Sequence, residues 1–112
     1  MTNNSKAMFG ISILGLFVAG PSIGAGFSEA AKIGANSGAM SYCNDEIASD
    51  DDGSKYSLLS ISAYKEYDDL ASDDKLKALV YRKAAEDGDY LGDPLDEDRC
   101  DSIRKLLYLR YN

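Results

Sequence analysis

The sequence predicts an all-α protein: a small antiparallel bundle of about four helices, following an N-terminal hydrophobic segment and closed by one disulfide bond. Three observations lead to this fold class. Apolar residues recur at intervals of three, four and seven through residues 28–112, which is the spacing of one helix face. No alternating run of β-branched residues, typical of a strand, follows Gly26. Two cysteines lie on the predicted buried faces of the first and last helices.

Composition limits what the protein can do. Its 112 residues include 12 basic and 19 acidic side chains, giving a net charge of −7, and no histidine. This length fits one small domain, and the negative charge argues against binding nucleic acid. Without histidine the chain lacks the usual general base and the commonest zinc ligand. The sequence therefore predicts a protein that is not an enzyme and carries no cofactor.

Residues 1–25 have the layout of a secretory signal peptide. No charged residue occurs between Lys6 and Glu29, and an apolar stretch is followed by Pro21 and the small Ala25. We therefore expect cleavage after residue 25, leaving an acidic helical domain over residues 26–112 in the periplasm, a thylakoid-type lumen or the extracellular space. The alternative is a retained membrane anchor over residues 7–27, because a spanning helix needs about 20 apolar residues.

The two cysteines are expected to form one intramolecular disulfide, Cys43–Cys100. An exported chain meets an oxidising environment, where an even number of cysteines favours pairing. Small domains with thin cores gain stability from such a cross-link. The close spacing of a redox-active pair is absent, so we expect a structural bond.

The first helix is predicted from about Ser28, a good N-cap, to about Ala48. Gly34 and Gly38 lie among alanines and create a smooth surface, on which a helix of this chain or of a partner could pack closely. The second helix is predicted over residues 54–70. The apolar faces of these two helices are Ile33, Met40, Cys43 and Ile47, and then Tyr56, Leu59, Ala63, Tyr67 and Leu70.

The third helix is predicted to begin with Ser72 as its cap and to end near Gly88. The fourth is predicted to be capped by Asp93, with Pro94 at its first position, where a missing N–H costs little. The predicted apolar faces of these helices are Leu76, Leu79, Val80 and Ala84, and then Cys100, Ile103, Leu107 and Tyr111.

Tyrosine is frequent, with eight residues against three phenylalanines and no tryptophan. Most are expected to border a thin core, with the ring buried and the hydroxyl in water. Tyr64, Tyr90 and Tyr108 fall outside the predicted apolar faces, which makes them the candidates for contact with another protein.

The acidic segment after the third helix resembles a calcium loop in part. Asp87, Asp89 and Asp98 match the first, third and twelfth positions of such a loop, and Asp93 falls inside it. Leu91, however, brings no side-chain oxygen to the fifth position. Weak calcium binding is therefore an alternative, and helix capping with solvation is the main expectation.

The predicted function is binding to another protein, as an accessory subunit, an inhibitor or immunity-type protein, or a chaperone. No nucleic acid is expected as a partner, and a membrane only if the leader is retained. The segment at residues 43–50 is similar to the region around the first cysteine of the small periplasmic acid-stress chaperones. Those are exported helical proteins with one disulfide, and the similarity extends over these eight residues.

Overall fold

The computed structural model describes residues 26–48 and 53–112. Within them the predicted four-helix architecture with one disulfide is confirmed, and a short hairpin is added. The elements are α1 (Glu29–Tyr42), a π-helical turn (Cys43–Ile47), α2 (Gly53–Asp68), α3 (Ser72–Glu86), β1 (Asp89–Tyr90), β2 (Asp93–Pro94) and α4 (Glu97–Tyr111). The predicted leader, residues 1–25, lies outside the described residues. Among the described helices, none combines the length and the apolar character that crossing a bilayer requires.

The closest helix contact in the fold joins α1 to α3. A Cβ atom on Gly34 would lie 2.8 Å from the carbonyl carbon of Ala78, and one on Gly38 would lie 2.8 Å from the Cβ of Ala85. Glycine therefore lets the two backbones meet where any other residue would separate them. The expected close approach of a helix to this surface is thus made by the chain's own third helix. Gly34 approaches Ala78, and Gly38, one turn later, approaches Arg82 and Ala85. Helices α1 and α3 therefore run parallel.

The buried face of α3 differs from the predicted one. Leu76 is 68% exposed and Val80 is 66% exposed, whereas Ala78 and Ala85 are fully buried. Helical periodicity predicted that the face of α3 with the largest apolar side chains would be buried. The glycines of α1 instead admit the face with the smallest ones, because only small side chains allow so close a backbone approach.

The apolar faces predicted for the other three helices form the core. The main cluster surrounds the Cys43–Cys100 disulfide, which joins the end of α1 to the start of α4. Both cysteines, with Met40 and Ile103, are the largest side chains with almost no exposure. The remaining members of this cluster are Ala35, Ala39, Tyr56, Leu59, Ala85, Tyr90, Leu95 and Leu107.

At the N-terminal end of α1, a network of side-chain hydrogen bonds connects α1 to α2 and α4. Arg110 donates from Nε to both carboxylate oxygens of Glu66, at 2.9 and 3.1 Å, and from Nη2 to Glu29 at 3.0 Å. The Tyr111 hydroxyl donates to Glu66 at 2.8 Å. Since Glu29 begins α1 and Arg110 ends α4, these two helices run antiparallel. Arg110 lowers the pKa of Glu66 through these hydrogen bonds, with a smaller contribution from Tyr111.

This network makes stability dependent on pH in acid. A carboxyl whose pKa is lower in the folded state stabilises the fold above its unfolded-state pKa and loses that contribution as the pH falls. Stability should therefore decline below about pH 4.5, the ordinary value for Glu66. Arg110→Ala should cost about 1 kcal/mol at neutral pH and flatten this decline. Urea unfolding from pH 7 to pH 3 measures both, with Lys83→Ala on the exposed face of α3 as control. An unchanged acid slope in Arg110→Ala would contradict the prediction.

The start of α4 corrects the predicted cap. The cap is Asp96, whose carboxylate accepts a hydrogen bond from the backbone N–H of Arg99 at 2.8 Å. Asp93 and Pro94 instead form β2, which pairs antiparallel with β1. The turn between the strands has positive φ at Leu91 and Gly92, as the favoured two-residue hairpin turns require. Burial of Leu91 and Leu95 against the core holds this hairpin in place.

Helix α3 also begins differently from the prediction. Its N-cap is Ala71, which provides no side-chain hydrogen bond, and Ser72 is the first helical residue. At α1 the prediction is confirmed, since the Ser28 hydroxyl accepts from the N–H of Ala31 at 3.1 Å.

Candidate functional site

A concave surface lies between α2 and α4, and we call it the α2–α4 groove. Its volume is about 470 Å³, within the range of ligand and anchor pockets. Two leucines and two tyrosines line it, together with four polar or charged residues. The lining residues are Lys55, Leu58, Leu59, Ser62, Arg104, Tyr108, Tyr111 and Asn112.

Two exposed apolar side chains line the groove. Leu58 is 68% exposed and Tyr108 is 58% exposed. Ile61 and Leu106, on the same two helices, are also exposed, but Ile61 lies in a concavity with Tyr64 and Arg82, and Leu106 lies in one between α1 and α4. Single exposed apolar residues are ordinary, whereas a leucine and a tyrosine exposed within one concavity are typical of an interaction surface.

The charges around the groove are of both signs. Lys55 and Arg104 line it, and the same two residues line an adjoining concavity together with Glu97, Asp98 and Asp101. Asp101 lies beside it and is shared by Arg104 and Lys105, at 2.6 and 3.0 Å. These pairs lower the pKa of Asp101 and raise that of Arg104. Three cations, Lys55, Arg104 and Lys105, thus lie near three carboxylates, so the groove has no clear excess of positive charge.

Of the three tyrosines predicted to contact another protein, two are exposed, on different surfaces. Tyr108 lies in the α2–α4 groove. Tyr64 faces the opposite flank of α2, where the Arg82 guanidinium lies 5.0 Å from its ring centroid. The structure therefore does not bring these candidates together, and only Tyr108 belongs to the groove.

Tyr90 is buried, which corrects its assignment as a contact residue. It is 4% exposed, and its hydroxyl donates to Asn36 Oδ1 at 2.7 Å. Its position in β1, not on a helix, turns the ring inward against α1. Burial raises the pKa of Tyr90 to about 12. The Tyr90 phenol thus forms a buried hydrogen bond that connects the hairpin to α1.

Removing this hydroxyl should destabilise the fold. Tyr90→Phe leaves the buried Asn36 carbonyl without its donor, and such a loss costs about 1–2 kcal/mol. Tyr108→Phe, at an exposed hydroxyl, should change stability by less than about 0.5 kcal/mol. Chemical denaturation followed by circular dichroism compares the two. Equal stability of both variants and the parent would show that the buried bond is not stabilising.

The segment predicted as a possible calcium loop is the hairpin. Asp89 accepts a hydrogen bond from the N–H of Gly92, and Asp93 lies 3.6 Å from the Arg99 guanidinium. Asp98 lies in the first turn of α4, where a negative charge favours the helix, and Asp87 is the C-cap of α3. Across residues 26–48 and 53–112, no group of three acidic or cysteine side chains converges on a possible metal position.

Sequence reasoning missed one leucine of the candidate site. Leu58 lies outside the apolar face predicted for α2, so it was assigned neither to the core nor to a contact surface. The available signal was its position, because Leu58 is two residues from the buried Tyr56 and hence more than half a turn around the helix from it.

Comparison of the chain with protein-family models, with curated proteins and with solved structures gives no significant match.

Proposed function

We propose that this chain is a small exported, non-enzymatic protein that binds another protein through the α2–α4 groove. The observation that carries the proposal is a concavity of about 470 Å³ that is lined by two exposed apolar side chains, Leu58 and Tyr108. Interface centres are enriched in tyrosine and other large apolar side chains seated in pockets. Tyr108 supplies such a side chain here.

The disulfide supports the exported part of the proposal. Cys43 and Cys100 are bonded, and stable disulfides are characteristic of oxidising compartments such as the periplasm. A leader that carries the chain across a membrane is consistent with this bond. The role as an accessory subunit, an inhibitor or a chaperone then depends on which protein occupies the groove.

Site-specific photo-crosslinking tests the proposal. A photo-reactive aromatic amino acid replaces Tyr108 in the full chain, which is expressed in its native host and irradiated. We expect a crosslinked adduct that contains a second, identifiable protein. The matched control places the same amino acid at Val80, which is 66% exposed on α3, away from the groove.

The comparison between the two positions decides the result. A partner recovered from position 108 and not from position 80 supports binding at the groove. No adduct from position 108, or the same adducts from both positions, would overturn the proposal.

A further inference from the structure

We infer that the cavity where α1, α2 and α3 meet, which we call the three-helix cavity, binds a neutral sugar ring. Its volume is about 270 Å³. Ile61 lines it, and each of the three helices adds two residues one turn apart: Ser37 and Ser41, Ser60 and Tyr64, and Arg82 and Glu86. None of these residues lines the α2–α4 groove, so this site is separate from the one in the proposed function.

Two polar groups at this cavity lack a hydrogen-bond partner. Ser37 is 3% exposed, and no hydrogen bond joins its hydroxyl to another group among residues 26–48 and 53–112. The Nε atom of Arg82 is buried and has no partner in the same part of the chain. A buried polar group without a partner costs free energy, and a bound molecule that supplies the missing hydrogen bond recovers it.

The Arg82 guanidinium is held in a fixed position. Its Cζ atom lies 5.0 and 5.1 Å from the ring centroids of Tyr64 and Tyr67. Its Nη2 atom lies 3.1 Å from Oε2 of Glu86. The Nε–H and one Nη2–H of a guanidinium point in parallel along one edge of the planar group. An acceptor for Nε would therefore lie beside the Glu86 carboxylate.

This arrangement selects a neutral hydroxyl group over an anion. A phosphate or carboxylate at that position would be repelled by Glu86, and the Arg82–Glu86 pair has no net positive charge to offset the repulsion. A hydroxyl group can accept from Nε and donate to Glu86. The three serine hydroxyls of the lining also donate and accept. The cavity therefore matches a ligand with several hydroxyl groups and no charge.

The size and the apolar part of the lining favour a sugar ring. The volume of about 270 Å³ lies just below the range of about 300–1,000 Å³ that is typical for drug-sized ligands. Ile61 and Tyr64 are 64% and 46% exposed, so they lie at the mouth of the cavity. A pyranose has C–H groups between its hydroxyls, and an aromatic and an aliphatic side chain can pack against them.

A chemical-shift titration of the oxidised full chain tests the inference. The probes are glucose, galactose and mannose, with inorganic phosphate and glutamine as charged comparisons. We expect at least one sugar to shift the backbone amide signals of Ser37, Ser60 and Arg82, with a dissociation constant on the order of 1 mM, as suits so small a ligand. Phosphate and glutamine should bind at least about tenfold more weakly, because both carry an anionic group.

A matched pair of serine variants locates the binding site. Ser37→Ala should weaken sugar binding by about five- to tenfold, because one hydrogen bond to the ligand is lost. It should not lower stability in urea, since the hydroxyl has no partner in the described part of the chain and alanine is the better helix former. Ser62→Ala removes a hydroxyl from the α2–α4 groove and should change sugar affinity by less than about twofold.

Several outcomes would overturn the inference. They are the absence of shifts with all three sugars up to about 100 mM, binding of phosphate or glutamine as tight as that of the sugars, and equal effects of the two serine variants. A loss of stability in Ser37→Ala would show that its hydroxyl supports the fold, which also contradicts the inference. Photo-crosslinking from position 108 reports on a different surface, so the proposed function and this inference stand or fall separately.

Discussion

Replacing Gly34 and Gly38 together by alanine should lower the free energy of unfolding by about 4 kcal/mol. A Cβ on Gly34 would lie 2.9 Å from the Ala78 Cα, and one on Gly38 would lie 3.0 Å from the Arg82 carbonyl carbon. Backbone atoms cannot rotate away as a side chain can, so α1 and α3 must separate. Overpacking of this kind costs up to about 3 kcal/mol at each position. The higher helix propensity of alanine offsets about 1 kcal/mol of that cost at each position.

Urea unfolding of the single and double variants measures this effect. Each single variant should lose about 2 kcal/mol, which keeps the test informative if the double variant does not fold. Ser57→Ala, at an exposed position of α2, is the control, because it raises helix propensity without a close contact. If Gly34→Ala and Gly38→Ala stabilise the protein as Ser57→Ala should, the close packing of α1 on α3 does not hold in solution.

Removing the disulfide should cost about 4 kcal/mol. The bond connects residues separated by 57 positions. Closing a loop of that size restricts the unfolded chain by about 4 kcal/mol in the chain-entropy description. The unfolded ensemble gains this entropy when both cysteines become alanine. The folded state also loses the packing of two fully buried sulfur atoms.

Two measurements separate the cross-link from the packing. Reduction of the parent protein breaks the bond and leaves both sulfurs, whereas the Cys43→Ala, Cys100→Ala variant removes them. Both should be about 3–5 kcal/mol less stable than the oxidised parent in urea, and the variant should not respond to reductant. A reduced parent within about 1 kcal/mol of the oxidised protein would show that the unfolded chain is little constrained by the bond.

The buried faces of α1, α2 and α4 were predictable from helical periodicity, since a helix that touches the core on one side shows that side as an apolar pattern. The same reasoning failed at α3. Its patterned leucine and valine, Leu76 and Val80, face outward, because the competing alanine face fits the glycines of α1 more closely. Periodicity records which residues are apolar and says nothing about how near a neighbouring helix can come.

The candidate site was less predictable than the fold. Tyr108 could be selected because it fell outside an apolar face, and the same argument selected Tyr90, which is buried. Tyr90 lay between the predicted third and fourth helices, where no buried face was predicted. That segment forms the hairpin at Asp89–Pro94, which turns Tyr90 toward the core, and the hairpin depends on contacts of Leu91 and Leu95 with the core.

The sequence by itself determined the helical class, the pairing of its two cysteines and most of the core, because each follows from local spacing or from the number of available partners. Only the tertiary structure decided which face of α3 is buried, where α4 begins and which exposed residues share a groove. Those features depend on the distance between elements far apart in the chain, and the glycines of α1 set that distance through the backbone contact that they permit.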